Sequence, residues 1–134
     1  MGGAVLTAPR IIRVWLPIRI RSEGNVRQGW RAVAHRKKQH RDEVFLVVGA
    51  HQRQLELEPP LRVTLIRIGP RDLDSDNLVA GFKFVRDGVA LAVGIDDGDR
   101  ERIRWRYGQR RSGATAAALC PWKYAVEITV ERAR

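Results

Sequence analysis

Apolar residues recur at every second position in four stretches of the chain and at helical spacing in two, and these two periods predict strands and helices respectively. Over 13–21, Val14, Leu16, Ile18 and Ile20 fall on one face and Arg13, Arg19 and Arg21 on the other, as in a half-buried strand, with a turn at 22–25. From 28 to about 48 there is no proline, and Gly29 is the only early glycine. Trp30, Val33, Ala34, Val44, Phe45, Val47 and Val48 are interleaved there with Arg31, Arg36, Lys37, Lys38 and Arg41, which predicts a basic helix. After a linker ending at Pro59 and Pro60, Leu61, Val63, Leu65 and Ile68 predict a second strand that stops at Gly69-Pro70. Asp74, Ser75 and Asp76 are capping residues ahead of Leu78, Phe82, Val85 and Val89, so a second helix is expected from near 76 to about 93, ended by Gly94. Arg102, Arg104 and Arg106 alternate with Ile103, Trp105 and Tyr107, and Tyr124, Val126, Ile128 and Val130 with Lys123, Glu127, Thr129 and Glu131. These predict two final strands, joined by a mobile hairpin loop over 108–121 that holds the small residues Ser112 to Ala118.

The order strand, helix, strand, helix, strand, strand describes an α+β fold: one mixed sheet with two helices packed on it. A chain of 134 residues suits one domain, with residues 1–12 expected to be flexible. An apolar fraction of 44% excludes a disordered chain, and 30% charged residues argue for a well-solvated surface. Arg10, Arg13 and Arg19 interrupt the first twenty residues, so neither a secretory leader nor a membrane span is expected, and Cys120 has no partner for a disulfide. The cytoplasm is the expected compartment.

Net charge changes the picture. At +10, with 21 arginines among the 25 basic residues, the chain favours a polyanionic partner, because neutralising phosphates releases condensed counterions. Arginine adds a planar fork suited to bidentate phosphate contact. Nucleic acid is the leading partner. Arg27, Arg31, Arg36, Lys37, Lys38, Arg41, Arg102, Arg104 and Arg106 are the expected contacts to its backbone.

Against this background the acids are segregated. Seven of the eight aspartates, Asp72, Asp74, Asp76, Asp87, Asp96, Asp97 and Asp99, lie within 72–99, where Lys83 and Arg86 are the only bases. Repelling carboxylates gain by dispersing over a basic surface unless one cation neutralises several together. At about 3.6 residues per turn, Asp76, Lys83 and Asp87 share one helical stripe, opposite the apolar residues. Carboxylates from the loops at the two ends of this helix would then converge on one or two Mg²⁺ ions, the arrangement needed to activate water against a phosphodiester. Caps, turns and a Lys83/Asp87 ion pair are the plainer explanation of the same residues. His35, His40 and His51 lack ligand spacing, Ser112 and Cys120 lack an activating setting, and there is no glycine-rich phosphate loop.

The segment Arg71-Asp72-Leu73-Asp74-Ser75-Asp76-Asn77-Leu78, then Lys83 with Asp87 four residues on, then Ile95-Asp96-Asp97, resembles the RusA-like family of Holliday-junction endodeoxyribonucleases, enzymes of phages and prophages. The resemblance covers about 71–99; Ser22 and Asn25 are similar to the family's Ser-x-Asn turn, spaced by three here. It implies a homodimer that cuts four-way DNA junctions with Mg²⁺, or Mn²⁺, and no small-molecule cofactor. Asp74, Asp76 and Asp97 would hold metal, with Asp96 as an auxiliary ligand, and Lys83 would stabilise the transition state. Two points depart from the pattern: Ala80 stands where the family lysine usually lies, and Asp72 is an extra carboxylate, leaving Asp72/Asp74 and Asp74/Asp76 both open as the ligand pair. A non-catalytic nucleic-acid-binding protein and a phage assembly protein are the alternatives that composition allows.

Overall fold

The computed structural model describes residues 10–21, 29–112 and 121–133. Four strands form one mixed sheet: β1 (Ile11–Leu16), β2 (Leu61–Gly69), β3 (Ile103–Arg111) and β4 (Ala125–Arg132). Their spatial order is β1-β4-β2-β3, with β4 antiparallel to both β1 and β2, and β3 parallel to β2. Strands β1, β2 and β3 thus run the same way, and each connection between them is a crossover carried by helix. The first is α1 (Trp30–Leu55); the second is the pair α2 (Ser75–Gly81) and α3 (Lys83–Val93).

All three helices lie on one face of the sheet. Ile12, Val14, Leu16, Leu61, Val63, Leu65, Ile103, Val126, Ile128 and Val130 form a single apolar cluster with Val44 and Val48 of α1, Leu78 of α2, and Val85 and Val89 of α3. Phe82, between the two shorter helices, belongs to the same cluster. Helices α1 and α3 pack tightly at Gly88, where an added Cβ would stand 2.7 Å from the Arg41 carbonyl oxygen and 2.8 Å from Val44 Cβ. Only glycine permits that approach. Further along, Gly49 faces Ala92, so residue numbers rise together on the two helices, which pack in parallel.

The α+β class and the order of elements are those read from the periodicity; several boundaries and one connection differ. Strand β1 ends at Leu16 because its partner β4 begins at Ala125, although Ile18 and Ile20 continue inward at 2% and 3% exposure. It begins at Ile11, inside the stretch expected to be flexible, and Ile12 is fully buried. Helix α1 runs on to Leu55, past the last apolar run at 48, because nothing in 49–55 breaks it. It stops where Glu56 turns left-handed at φ 49°, and the Gln52 side chain then holds Leu57 through its backbone N–H and carbonyl. Strand β3 extends from 103 to 111, so 108–111 belong to the sheet and not to a loop, while 113–120 lie outside the described residues.

The expected hairpin between the last two strands is not formed. Strands β3 and β4 flank β2 on opposite sides, so the backbone of β2 is paired along both edges. The expected second helix is divided at Phe82, whose φ −84°, ψ −2° interrupts the ladder and drives its ring into the core. Gly94 ends α3 in the left-handed region at φ 71°, as its position predicts.

Candidate functional site

Strand β3 organises the acidic segment, because its helix-facing residues reach both loops that carry the aspartates. Gln109 accepts a hydrogen bond from the Leu73 N–H and donates one to the Leu73 carbonyl, both at 2.9 Å, fixing the loop that leads into α2. Four residues back, the Trp105 indole donates to the Asp97 carbonyl at 3.0 Å, fixing the turn that follows α3. The two anchors are therefore separated by roughly 13 Å along the strand, at about 3.3 Å per residue. Both acidic loops lie over one strand, but Asp74 and Asp76 are not drawn together with Asp96 and Asp97. Among the described residues no three carboxylate, imidazole or thiol groups stand close enough to hold a metal ion.

Arg86, on α3, is the hub of the Asp97 end. Its Nε donates to Asp97 Oδ2 at 3.0 Å, its Nη2 to the Asp97 carbonyl at 2.8 Å, and its Nη1 to the Tyr107 hydroxyl at 2.6 Å. The guanidinium also lies 4.7 Å over the Trp105 ring. Tyr107 in turn stacks on Phe82, centroids 5.9 Å apart, so the site is tied to the core at the break between α2 and α3. Arg86→Gln removes three charge-assisted hydrogen bonds from a side chain 27% exposed, and its expected cost is about 2–3 kcal/mol. Chemical denaturation and faster hydrogen exchange at the Gly98 and Asp99 amides would register it; unchanged exchange would mean that Arg86 does not hold the turn.

The remaining acids divide into those already engaged and those without a partner. Asp96 accepts the Gly98 N–H at 2.9 Å in a tight turn, and Asp99 accepts the N–H groups of Glu101 and Arg102 at 3.2 Å. Asp72 faces Arg111 at 3.5 Å. Asp74 caps α2 by position without a side-chain cap bond, and Asp76 follows in its first turn; both are exposed, and neither has a side-chain partner among the described residues. Lys83 lies 6.0 Å from the Phe84 ring and, among the described residues, makes no ion pair with Asp87 one turn on in the same helix; the break at Phe82 takes Asp76 out of the phase that Lys83 and Asp87 share. Asp87 instead lines a cavity of about 470 Å³ with Arg41, Asp96 and Asp97, floored by Ala90 and Ile95.

Beside Asp72, Arg67 is 5% exposed and bridges two chain segments, donating to the Ile20 carbonyl at 3.2 Å and the Arg71 carbonyl at 2.5 Å. Burial holds its guanidinium below the ordinary range, opposed by Tyr124 and Asp72. The expected DNA contacts are split between the two sides of the sheet. Arg31, Arg36, Lys37, Lys38 and Arg41 lie on α1, where Arg31 stacks on Trp30, Lys37 stands 4.6 Å over Phe84, and Arg41 pairs with Asp42 at 3.5 Å. Arg104 and Arg106 project from the opposite face of the sheet; Arg102 precedes β3, and Arg27 lies outside the described residues.

Arg86, Gln109, Trp105 and Tyr107 are the residues that sequence reasoning did not place in the site. Arg86 carried a signal, as one of two bases in the acidic segment; Gln109 carried none, since its partner is 36 residues away. No family model matches the chain, and no curated protein matches it.

Proposed function

We propose that this protein is a structure-selective DNA endonuclease that uses Mg²⁺, or Mn²⁺, to resolve four-way junctions or related branched DNA, acting in the cytoplasm as a homodimer. The observation that carries this reading is the pair Asp74 and Asp76: two exposed carboxylates, two residues apart, that make no ion pair among the described residues of a chain of net charge +10. Carboxylates amid so many arginines gain by pairing with them. Leaving two together favours a cation or a charged group brought by the substrate.

The donor set fits Mg²⁺ in one respect. This ion is commonly bound by one or two carboxylates, its other positions filled by water and substrate phosphate, so a cage of three protein ligands is not required. Asp74 and Asp76 would hold it, and between the two pairs that the sequence leaves open this one is favoured, because Asp72 already faces Arg111. When bound, the ion supplies charge neutralisation at the scissile phosphate and a water of lowered pKa. Asp96 and Asp97 do not complete this ion's shell, since they are held apart from the pair, Asp97 by Arg86 through Oδ2 and Asp96 by the Gly98 N–H. Lys83, exposed at the start of α3, is assigned to the negative charge that develops on the phosphate. The basic residues of α1 would track the backbone without reading sequence, leaving specificity to junction shape.

The test is cleavage of a labelled synthetic four-way junction and of linear duplex of the same sequence, each with Mg²⁺ and with EDTA. Cleavage of the junction only with Mg²⁺ is expected. Binding of both DNAs without cleavage of either, across Mg²⁺ and Mn²⁺ concentrations, would overturn the nuclease reading in favour of a nucleic-acid-binding protein.

A further inference from the structure

No described helix lies over the second face of the sheet. Arg13 and Trp15 of β1, Glu127, Thr129 and Glu131 of β4, Arg62, Thr64 and Ile66 of β2, and Arg104, Arg106 and Arg110 of β3 share that face by register. Its two acids are already engaged: Glu131 accepts from Arg62 at 3.0 Å, and Glu127 accepts from the Trp15 indole at 2.9 Å and faces Arg110 at 3.5 Å. Arg13, Arg104 and Arg106 remain exposed and form no ion pair among the described residues. Arg104 is also directly across from Arg62, on strands about 4.8 Å apart. Arg62 is neutralised by Glu131, which leaves Arg104 as the uncompensated charge of the two among the described residues.

We propose that this face is a second DNA-contact surface and that the bound backbone passes over the β3 edge from it to the carboxylate side. Strand β3 is an edge strand, and its alternate residues serve the two sides: Trp105, Tyr107 and Gln109 anchor the acidic loops, while Arg104 and Arg106 project away from them. A straight duplex reaches one side only, whereas DNA that bends or branches at the edge reaches both. A second copy of the chain is disfavoured as occupant, since it would bring the same unpaired arginines against these. The inference rests on the nucleic-acid part of the proposed function and not on its chemistry.

The experiment is fluorescence anisotropy of labelled junction and linear duplex in EDTA at several salt concentrations, for wild type, R104Q/R106Q and R104K/R106K, with thermal melts as a check on folding. Each lost phosphate contact lowers the slope of log K against log salt by about 0.9, so R104Q/R106Q is expected to lose about 1.8 on the junction and R104K/R106K to match wild type. A wild-type slope in a folded R104Q/R106Q overturns the inference, as does loss of binding to poly-glutamate alone, which would mark an acidic protein as the partner. Junction binding that needs these arginines, in a wild type that never cleaves, would sink the nuclease reading and leave this surface standing. Cleavage with an unchanged slope would do the reverse.

Discussion

Asp76→Asn is expected to abolish junction cleavage while leaving junction binding within a factor of a few. A ligated cation supplies several kcal/mol of transition-state stabilisation, and a loss of about 3–4 kcal/mol corresponds to a rate lowered about 10²–10³-fold. The substitution is close in shape, and the side chain it replaces is exposed with no partner among the described residues, so stability should change by no more than about 0.5 kcal/mol. Single-turnover cleavage of labelled junction at saturating protein, with anisotropy in EDTA as the binding measurement, separates the two effects. Asp72→Asn provides the contrast: its carboxylate already faces Arg111, and a much smaller loss is expected. Equal losses in the two variants would mean that the acids act through their summed charge, and full activity in Asp76→Asn would remove Asp76 from the site.

The largest expected effect on stability is that of Phe82→Ala, about 3–5 kcal/mol, because it deletes a fully buried ring and leaves a cavity that the surrounding helices can only partly close. The position adds a consequence that a generic core truncation lacks. Phe82 is where α2 meets α3, and its ring stacks on Tyr107, which in turn accepts from Arg86. Loss of the ring should therefore loosen the Asp97 turn as well as lower the urea midpoint, and hydrogen exchange would show both. A destabilisation below 1 kcal/mol with an unchanged slope against denaturant would mean that the ring is not packed in the core.

How much of this was legible in the sequence depends on the range over which each feature is decided. The alternation in β2 and in the second half of β4, the helical spacing of Leu78, Val85 and Val89, and the stop at Gly94 are local, set by backbone period and by the one residue type that turns left-handed without strain. Arg104 and Arg106 opposite Ile103 and Trp105 were legible for the same reason, as was the crowding of seven aspartates into 72–99. These established the α+β class, the order of elements and the segment that the proposed chemistry uses.

Tertiary structure alone decided the rest. Periodicity says that a strand has a buried face but not which strand lies beside it; here β4 inserts between β1 and β2, and the adjacent pair β3 and β4 is separated. The break at Phe82 carries no proline signal; it falls where the ring is fully buried and where Gly81 packs so closely on Ile20 that an added Cβ would stand 2.5 Å from it. The partners of the aspartates were equally out of reach. Arg86 meets Asp97 eleven residues away and Gln109 meets Leu73 thirty-six away, across a crossover whose path is set by packing on the sheet. Sequence fixes which groups are charged and which face they share within one element; only the assembled sheet determines which charges meet, and so leaves Asp74 and Asp76 apart from Asp96 and Asp97.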